Sequence, residues 1–296
     1  MKSHFGTHTN PRRPKKVSCY IVGNGFLLTK GEKLMSLPHP QTDNSQGPID
    51  PASDMELTAQ MEPFDSFWEG PEEPEEVEKG YGKFYQFYHH NYLKHLPADH
   101  NARILVISCG PGYFVNTLNK QGYKNVIGID SFESKVKYGQ QHNLDCRAER
   151  AFPFLASHKN TFNVIFCEQE LNHLTKKEML IFLRLARESL ISGGTLIVHG
   201  LNGANPITGS EALAQNFDHY NTFTEYTLRQ VLQHSEFKDI HVFPLHLYVF
   251  YKNPFNYVAW GASALLSLFF RVCFILYGKS NKLFTKKIAA TCQKPK

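Results

Sequence analysis

The run Ser108-Cys109-Gly110-Pro111-Gly112 carries the first chemical signal in the chain. Two glycines one residue apart let the backbone turn sharply and clear the space a side chain would take from an approaching ligand. The run follows an apolar stretch, Ile104 to Ile107, and opens a helical one, so amides at the helix start are positioned for an anionic group. Twenty residues past Gly110, Asp130 closes a second apolar stretch, with Ser131 beside it. A carboxylate there accepts hydrogen bonds from ribose hydroxyls, so loop and acid together select an adenosine-containing ligand. A nicotinamide dinucleotide is the rival ligand, but its fingerprint asks for a third glycine where this chain has Val115.

Proton transfer is the second chemistry to look for. Of fifteen histidines, His173 and His219 follow strand ends on the ligand side, and the ordinary histidine pKa of about 6.5 suits a proton acceptor. His219 lies in Asn216-Phe217-Asp218-His219-Tyr220, where Asp218 or Asn216 is available to orient its ring. The competing reading of either histidine is structural, a ring that satisfies a loop carbonyl. His89-His90 is expected on a helix surface, and no set of residues has metal-ligand spacing.

These residues need a scaffold, and the hydrophobic pattern supplies one. Ile104 to Ile107, Asn125 to Asp130, Asn163 to Cys167 and Thr195 to Val198 read as apolar strands, the last entered through Gly193-Gly194. Between them lie helical stretches, most clearly Lys176 to Leu190. Continuously apolar strands alternating with helices define a doubly wound α/β sheet, mostly parallel, with ligands at the carboxyl ends of its strands. Ahead of the sheet, Tyr81, Phe84, Tyr85, Tyr88 and Tyr92 recur at helical spacing up to Pro97, as a helix docked on the sheet or a lid over the ligand.

At 296 residues and 42% apolar content the chain can bury a substantial core. Residues 1–60 lack periodicity and read as a poorly ordered extension; 61–100 form the helical lid and 101–296 the main domain. The densest basic run, Arg12 to Lys16, lies in that extension, so the net charge of +5 does not point to a nucleic-acid partner. The run and the apolar residues after it mimic a signal peptide, but Asn24 and two glycines interrupt them and no cleavage site follows. Six cysteines without a CxxC pair fit a reducing cytoplasm.

Ile104 to Phe114, then Gly122-Tyr123-Lys124-Asn125-Val126-Ile127-Gly128-Ile129-Asp130, resemble the first two motifs of class I S-adenosylmethionine-dependent methyltransferases. Phe162-Asn163-Val164-Ile165-Phe166, Leu171-Asn172-His173-Leu174 and Ser192-Gly193-Gly194-Thr195-Leu196-Ile197 resemble the later ones. The nearest likeness, which includes His219 to Thr224 and Phe284 to Ala290, is to bacterial members associated with surface polysaccharide and lipid-linked glycan synthesis. The resemblance implies a seven-stranded sheet with S-adenosylmethionine held by Ser108, Cys109, Gly110, Gly112, Asp130 and Ser131. It also implies methyl transfer to an acceptor hydroxyl on a glycan or lipid-linked intermediate, with His173 and His219 as catalytic candidates. Family members carry an acid at Val106 and a glycine at Ser108; their adenine-side acid falls at Arg150, beside Glu149, and their acid after the next strand at Gln169. Those departures leave a non-catalytic cofactor-binding protein at the membrane surface as the alternative.

The resemblance also makes Asp239 to Phe243 an edge strand and Lys287 to Gln293 the last strand, so the apolar stretch at 254–278 is an insertion between them. Tyr257 to Tyr277 is long enough to cross a bilayer, but a crossing would separate two strands of one sheet. A helix lying on the inner face of the membrane avoids that conflict, whereas burial against the domain or in a dimer is the other reading.

Overall fold

The computed structural model describes residues 74–168, 170–214, 219–247 and 253–296. The expected extension at 1–60, together with Gln169, Asn216 and Asp218, lies outside these residues.

The chain enters through helix α1, Pro74–Tyr92. Strand β1 (Arg103–Ile107) then leads to α2 (Tyr113–Lys120), β2 (Asn125–Asp130), α3 (Glu133–Gln141), the short β3 (Cys146–Ala148) and α4 (Ala151–Ser157). Strand β4 (Phe162–Glu168) is followed by the single turn α5 (Glu170–His173), α6 (Lys176–Ser189) and β5 (Leu190–Leu201). Short α7 (Glu211–Ala214), α8 (Glu225–His234), edge strand β6 (Lys238–Pro244), α9 (Phe255–Leu276) and β7 (Lys287–Gln293) complete the order.

The seven strands lie in the order β3-β2-β1-β4-β5-β7-β6. Strands β1 to β5 are parallel, and β7 runs antiparallel to both neighbours, as the sequence pattern implies. The chain moves outward from β1 through β2 to β3, then returns to the other side of β1 with β4. The switch point therefore falls between β1 and β4, where an open sheet leaves a crevice at its carboxyl edge.

Alternation along β1 sorts the core into two layers. Ile104 and Val106 face α1 and α2, packing with Tyr92, Phe114, Phe166 and Ile197. Leu105 and Ile107 face the other way, toward Phe182, Leu183 and Leu228 of α6 and α8. Helix α6 starts where Thr175 accepts from the Glu178 amide while the Glu178 carboxylate accepts from the Thr175 amide, satisfying two amides that a helix start leaves unpaired.

Helix α2 carries Val115 where a dinucleotide site needs glycine, and the space is found in the strand instead. A Cβ on Gly128 of β2 would stand 2.8 Å from Val115 Cγ2 and 2.9 Å from Cys109 Sγ. Gly128→Ala should therefore destabilise the fold by about 1–3 kcal/mol through overpacking. Chemical denaturation checks this, and Val115→Ala in the same chain should recover part of the loss.

Candidate active site

The loop after β1 is built from alternating left-handed residues, with φ of 55° at Ser108, 52° at Gly110 and 84° at Gly112. Ser108 thus holds a backbone conformation that costs an L residue roughly 1–2 kcal/mol, and the loop keeps a glycine-like path without the glycine. A Cβ on Gly112 would meet Cys146 Sγ at 2.8 Å, so that position is closed by packing. Gly110 differs: among the described residues nothing lies within 4 Å of where its Cβ would stand.

Asp130 braces this loop from β2. Its Oδ2 accepts the Gly110 amide at 2.9 Å, and its Oδ1 accepts the Phe132 amide at 2.9 Å. An ionised carboxylate has about four lone-pair sites, and these two amides use two of them. Ser131 is exposed next to it. Glu149 and Arg150 follow β3 at the same edge, with the Glu149 amide on the Asp130 carbonyl at 3.0 Å. The residues present fit an adenosine ligand: an open glycine, a braced acid and a helix start lie side by side.

Across the switch point stands a group that the sequence pattern did not single out. One residue past the Ile107–Cys167 pair, the strands reach Ser108 and Glu168. Glu168 Oε2 accepts from the Tyr88 hydroxyl at 2.6 Å, and Oε1 lies 3.6 Å from His199 Nε2 in β5. The Tyr92 hydroxyl is bonded to Nδ1 of His199. With Tyr92 as donor, the proton of the neutral ring sits on Nε2, a buried atom with no hydrogen-bond partner among the described residues. Burial raises the Glu168 carboxyl above the usual range, opposed by the ammonium of Lys287 at the start of β7 and by the Tyr88 bond. Burial, with the Lys287 charge adding to it, holds His199 well below its ordinary value, and burial lifts the Tyr88 and Tyr92 hydroxyls. Acid, imidazole and ammonium thus cross three neighbouring strands under two tyrosines of α1. Helix α1 docks on the sheet and also covers the loop, since the Tyr81 hydroxyl donates to the Pro111 carbonyl at 2.6 Å.

His173 and His219 come from separate loops, and their rings meet at a centroid distance of 4.8 Å. Asn172 is the stitch between them. Its carbonyl accepts the Tyr220 amide at 2.8 Å, and its side-chain oxygen accepts the Leu201 amide at 3.3 Å. The His219 ring donates from Nδ1 to the Ala212 carbonyl at 2.7 Å, so a loop carbonyl orients it and its acceptor lone pair lies on Nε2. His89 and His90 are exposed on α1, as the spacing implies. Among the described residues no group of three or more metal-ligating side chains forms.

A doubly wound sheet with an open glycine at its switch point and an acid on the next strand defines a nucleoside-cofactor enzyme. A family model described as a methyltransferase domain matches residues 81–242, more than half of the chain. The chain belongs to that family, and it is a methyltransferase of the class that uses S-adenosylmethionine. Among solved structures it is similar in fold to a SAM-dependent methyltransferase from Archaeoglobus fulgidus, with 15% identity, a TM-score of 0.52, and coverage of 74% of this chain and 94% of that one. A putative S-adenosylmethionine-dependent methyltransferase from Listeria monocytogenes is similar at 15% identity and a TM-score of 0.51, covering 74% and 99%. No curated protein matches the sequence significantly.

Proposed function

We propose that the chain transfers a methyl group to an acceptor hydroxyl on a glycan or lipid-linked intermediate, with Glu168 taking the hydroxyl proton. The observation that carries this reading is the Glu168 carboxylate at the switch point, held on one oxygen by Tyr88 and facing an unpartnered imidazole N–H on the other side. S-adenosylmethionine, when bound, supplies a methyl group on a sulfonium with a good leaving group, so orientation of the acceptor provides much of the rate. Ser108, Cys109, Gly110 and Gly112 form the cradle, Asp130 and Ser131 face the ribose, and Glu149 with Arg150 flank the adenine side. An alcohol is nearly neutral and loses its proton as the new bond to oxygen forms, which makes a nearby base useful. A carboxyl whose pKa is raised by burial is a stronger base than an exposed one, and Tyr88 fixes its direction. From Glu168 the proton passes to water.

The glycan or lipid-linked acceptor class is supported by the likeness of His219 to Thr224 and Phe284 to Ala290 to envelope-glycan enzymes. A cytoplasmic site of action belongs to the same reading. His219 is the second candidate base, favoured by the tautomer that the Ala212 carbonyl imposes. Incubation with methyl-labelled S-adenosylmethionine and cell-envelope extract tests the function: label should enter an amphiphilic fraction and survive mild base as an ether does. Label in protein or nucleic acid alone would overturn the acceptor class. Loss of transfer in His219→Ala and His173→Ala, with Glu168→Gln unimpaired, would move the base to the histidine pair.

A further inference from the structure

The insertion between β6 and β7 is built in reverse relative to a helix of a water-soluble fold. Helix α9 is 22 residues long, about 33 Å, and none of its residues is buried. Most of its less exposed positions recur at three and four, Asn256, Ala259, Ser263, Ser267, Phe270 and Phe274, with Gly261 and Cys273 beside that stripe. The shielded stripe thus holds the helix's Asn and Ser residues with Phe270 and Phe274, while Leu265 is 70% exposed, Phe269 60% and Ile275 59%. A helix with this outward face is stable only if something apolar covers it.

Connectivity restricts how the helix meets its cover. Pro244 pairs with Ile288 in the β6–β7 ladder, so the chain leaves and re-enters the sheet at neighbouring residues. Tethers hold the insertion near both ends. Trp260 Nε1 donates to His246 at 3.1 Å, and Phe274 packs on Phe284 with ring centroids 4.7 Å apart. Beyond the helix, Tyr226 of α8 bonds Ser280, and the Glu225 carboxylate accepts the amides of Lys282 and Leu283. The tethers at Trp260 and Phe274 are about 21 Å apart along the helix, so it lies along the domain rather than projecting from it. A crossing would also drag the lysine-bearing return leg through hydrocarbon.

Charge selects the occupant. Arg271 on the helix and Lys279, Lys282 and Lys286 on the return leg are basic, and the one carboxylate tied to that leg, Glu225, is held on the amides of Lys282 and Leu283. Tyr257, Trp260 and Tyr277 stand near the helix ends, where an interface favours amphipathic rings. An apolar face with a predominantly basic flank matches anionic lipid.

We propose that α9 lies in the plane of an anionic bilayer and holds the carboxyl edge of the sheet, with the cofactor loop, at the membrane surface. Leu201 pairs with Lys287, so β7 starts at the carboxyl end of β5, and the insertion leaves from the same edge that carries Gly110 and Glu168. Asn91 of α1 bonds both backbone groups of His246, which links the start of α9 to the helix that covers Glu168. Membrane contact thereby turns the mouth of the site toward lipid-borne acceptors. The docking itself does not depend on which residue is the base.

The test mixes the full chain with vesicles of phosphatidylcholine, with or without phosphatidylglycerol. The wild type should sediment with the anionic vesicles, and added salt should lower its partition by about tenfold. Leu265→Asp with Phe269→Asp should abolish sedimentation, while binding of S-adenosylhomocysteine, titrated in parallel, stays within about twofold of wild type. In a Trp68→Phe background, Trp260 fluorescence should shift to the blue on vesicles and be quenched by lipids brominated near the headgroup. A wild type left in the supernatant with both vesicles overturns the proposal. So does a dimer that the double substitution splits, because a second copy then covers the helix. A chain that binds vesicles but no S-adenosylhomocysteine would instead overturn the cofactor assignment and leave the docking intact.

Discussion

Asp130→Ala should bind S-adenosylhomocysteine about a hundredfold more weakly than the wild type. The carboxylate has two tasks. In the proposed complex it offers lone pairs to the ribose diol, and charge-assisted hydrogen bonds of that kind contribute about 1.5–3 kcal/mol each. Toward the protein it satisfies the amides of Gly110 and Phe132, which hold the open loop in its left-handed path. Removing it strands both amides at about 1–3 kcal/mol each, so the free protein should also lose stability. Calorimetric titration measures the first effect and chemical denaturation the second. Asp130→Asn separates them, since one side-chain oxygen can still brace Gly110 while the amide group serves a diol less well. Affinity within threefold of wild type in both folded variants would place the ribose away from β2.

Glu168→Gln should lower turnover by about 10²–10⁴ while changing affinity for S-adenosylhomocysteine little, because a general base contributes on that scale in the transition state only. The pH profile gives an independent reading. Glu168 takes a proton only when ionised, so kcat/KM should fall as pH drops through its raised pKa and level off above it. Burial raises that value, while the Lys287 ammonium from β7 and the Tyr88 hydroxyl from α1 oppose the rise; Tyr92 from α1 and His199 from β5 also face the group. Tyr88→Phe should shift the acid limb upward, because it removes a hydrogen bond that favours the ionised form. An unchanged acid limb in Glu168→Gln would rule the residue out as base. A purely structural Glu168 would instead show itself as a loss of stability with no change in the profile.

Much of the scaffold was legible because its signals are local. Ile104 to Ile107 is fully buried β1, and the glycines that follow have the positive φ their type permits. Asp130 ends β2 as expected, and edge strand β6 and last strand β7 lie where the resemblance puts them. Strand β3 was missed for a physical reason: Cys146–Ala148 has three residues, too few for any periodicity to register. The loss of the third glycine at Val115 was legible, but its repair by Gly128 was not. A gap between helix and strand can be opened from either side, and only the pairing shows which.

For the site, the sequence by itself determined the loop that we propose as the cofactor cradle. Loop, helix start and acid at the end of β2 follow one another within about thirty residues, and short-range geometry fixes their relation. Glu168 left one trace, an acid closing an otherwise apolar strand, yet the family pattern drew attention to the neighbouring Gln169 instead. Its surroundings could not be read in line. Tyr88, Tyr92, Glu168, His199 and Lys287 sit on four elements, and only the β4-β5-β7 order with α1 across it brings them together. His173 and His219 were each visible, but their contact depends on Asn172 joining two loops. The apolar length of α9 was plain from composition. That its large side chains face outward was decided by the tethers at Trp260 and Phe274, because hydropathy counts residues and only packing says which of them find a protein partner.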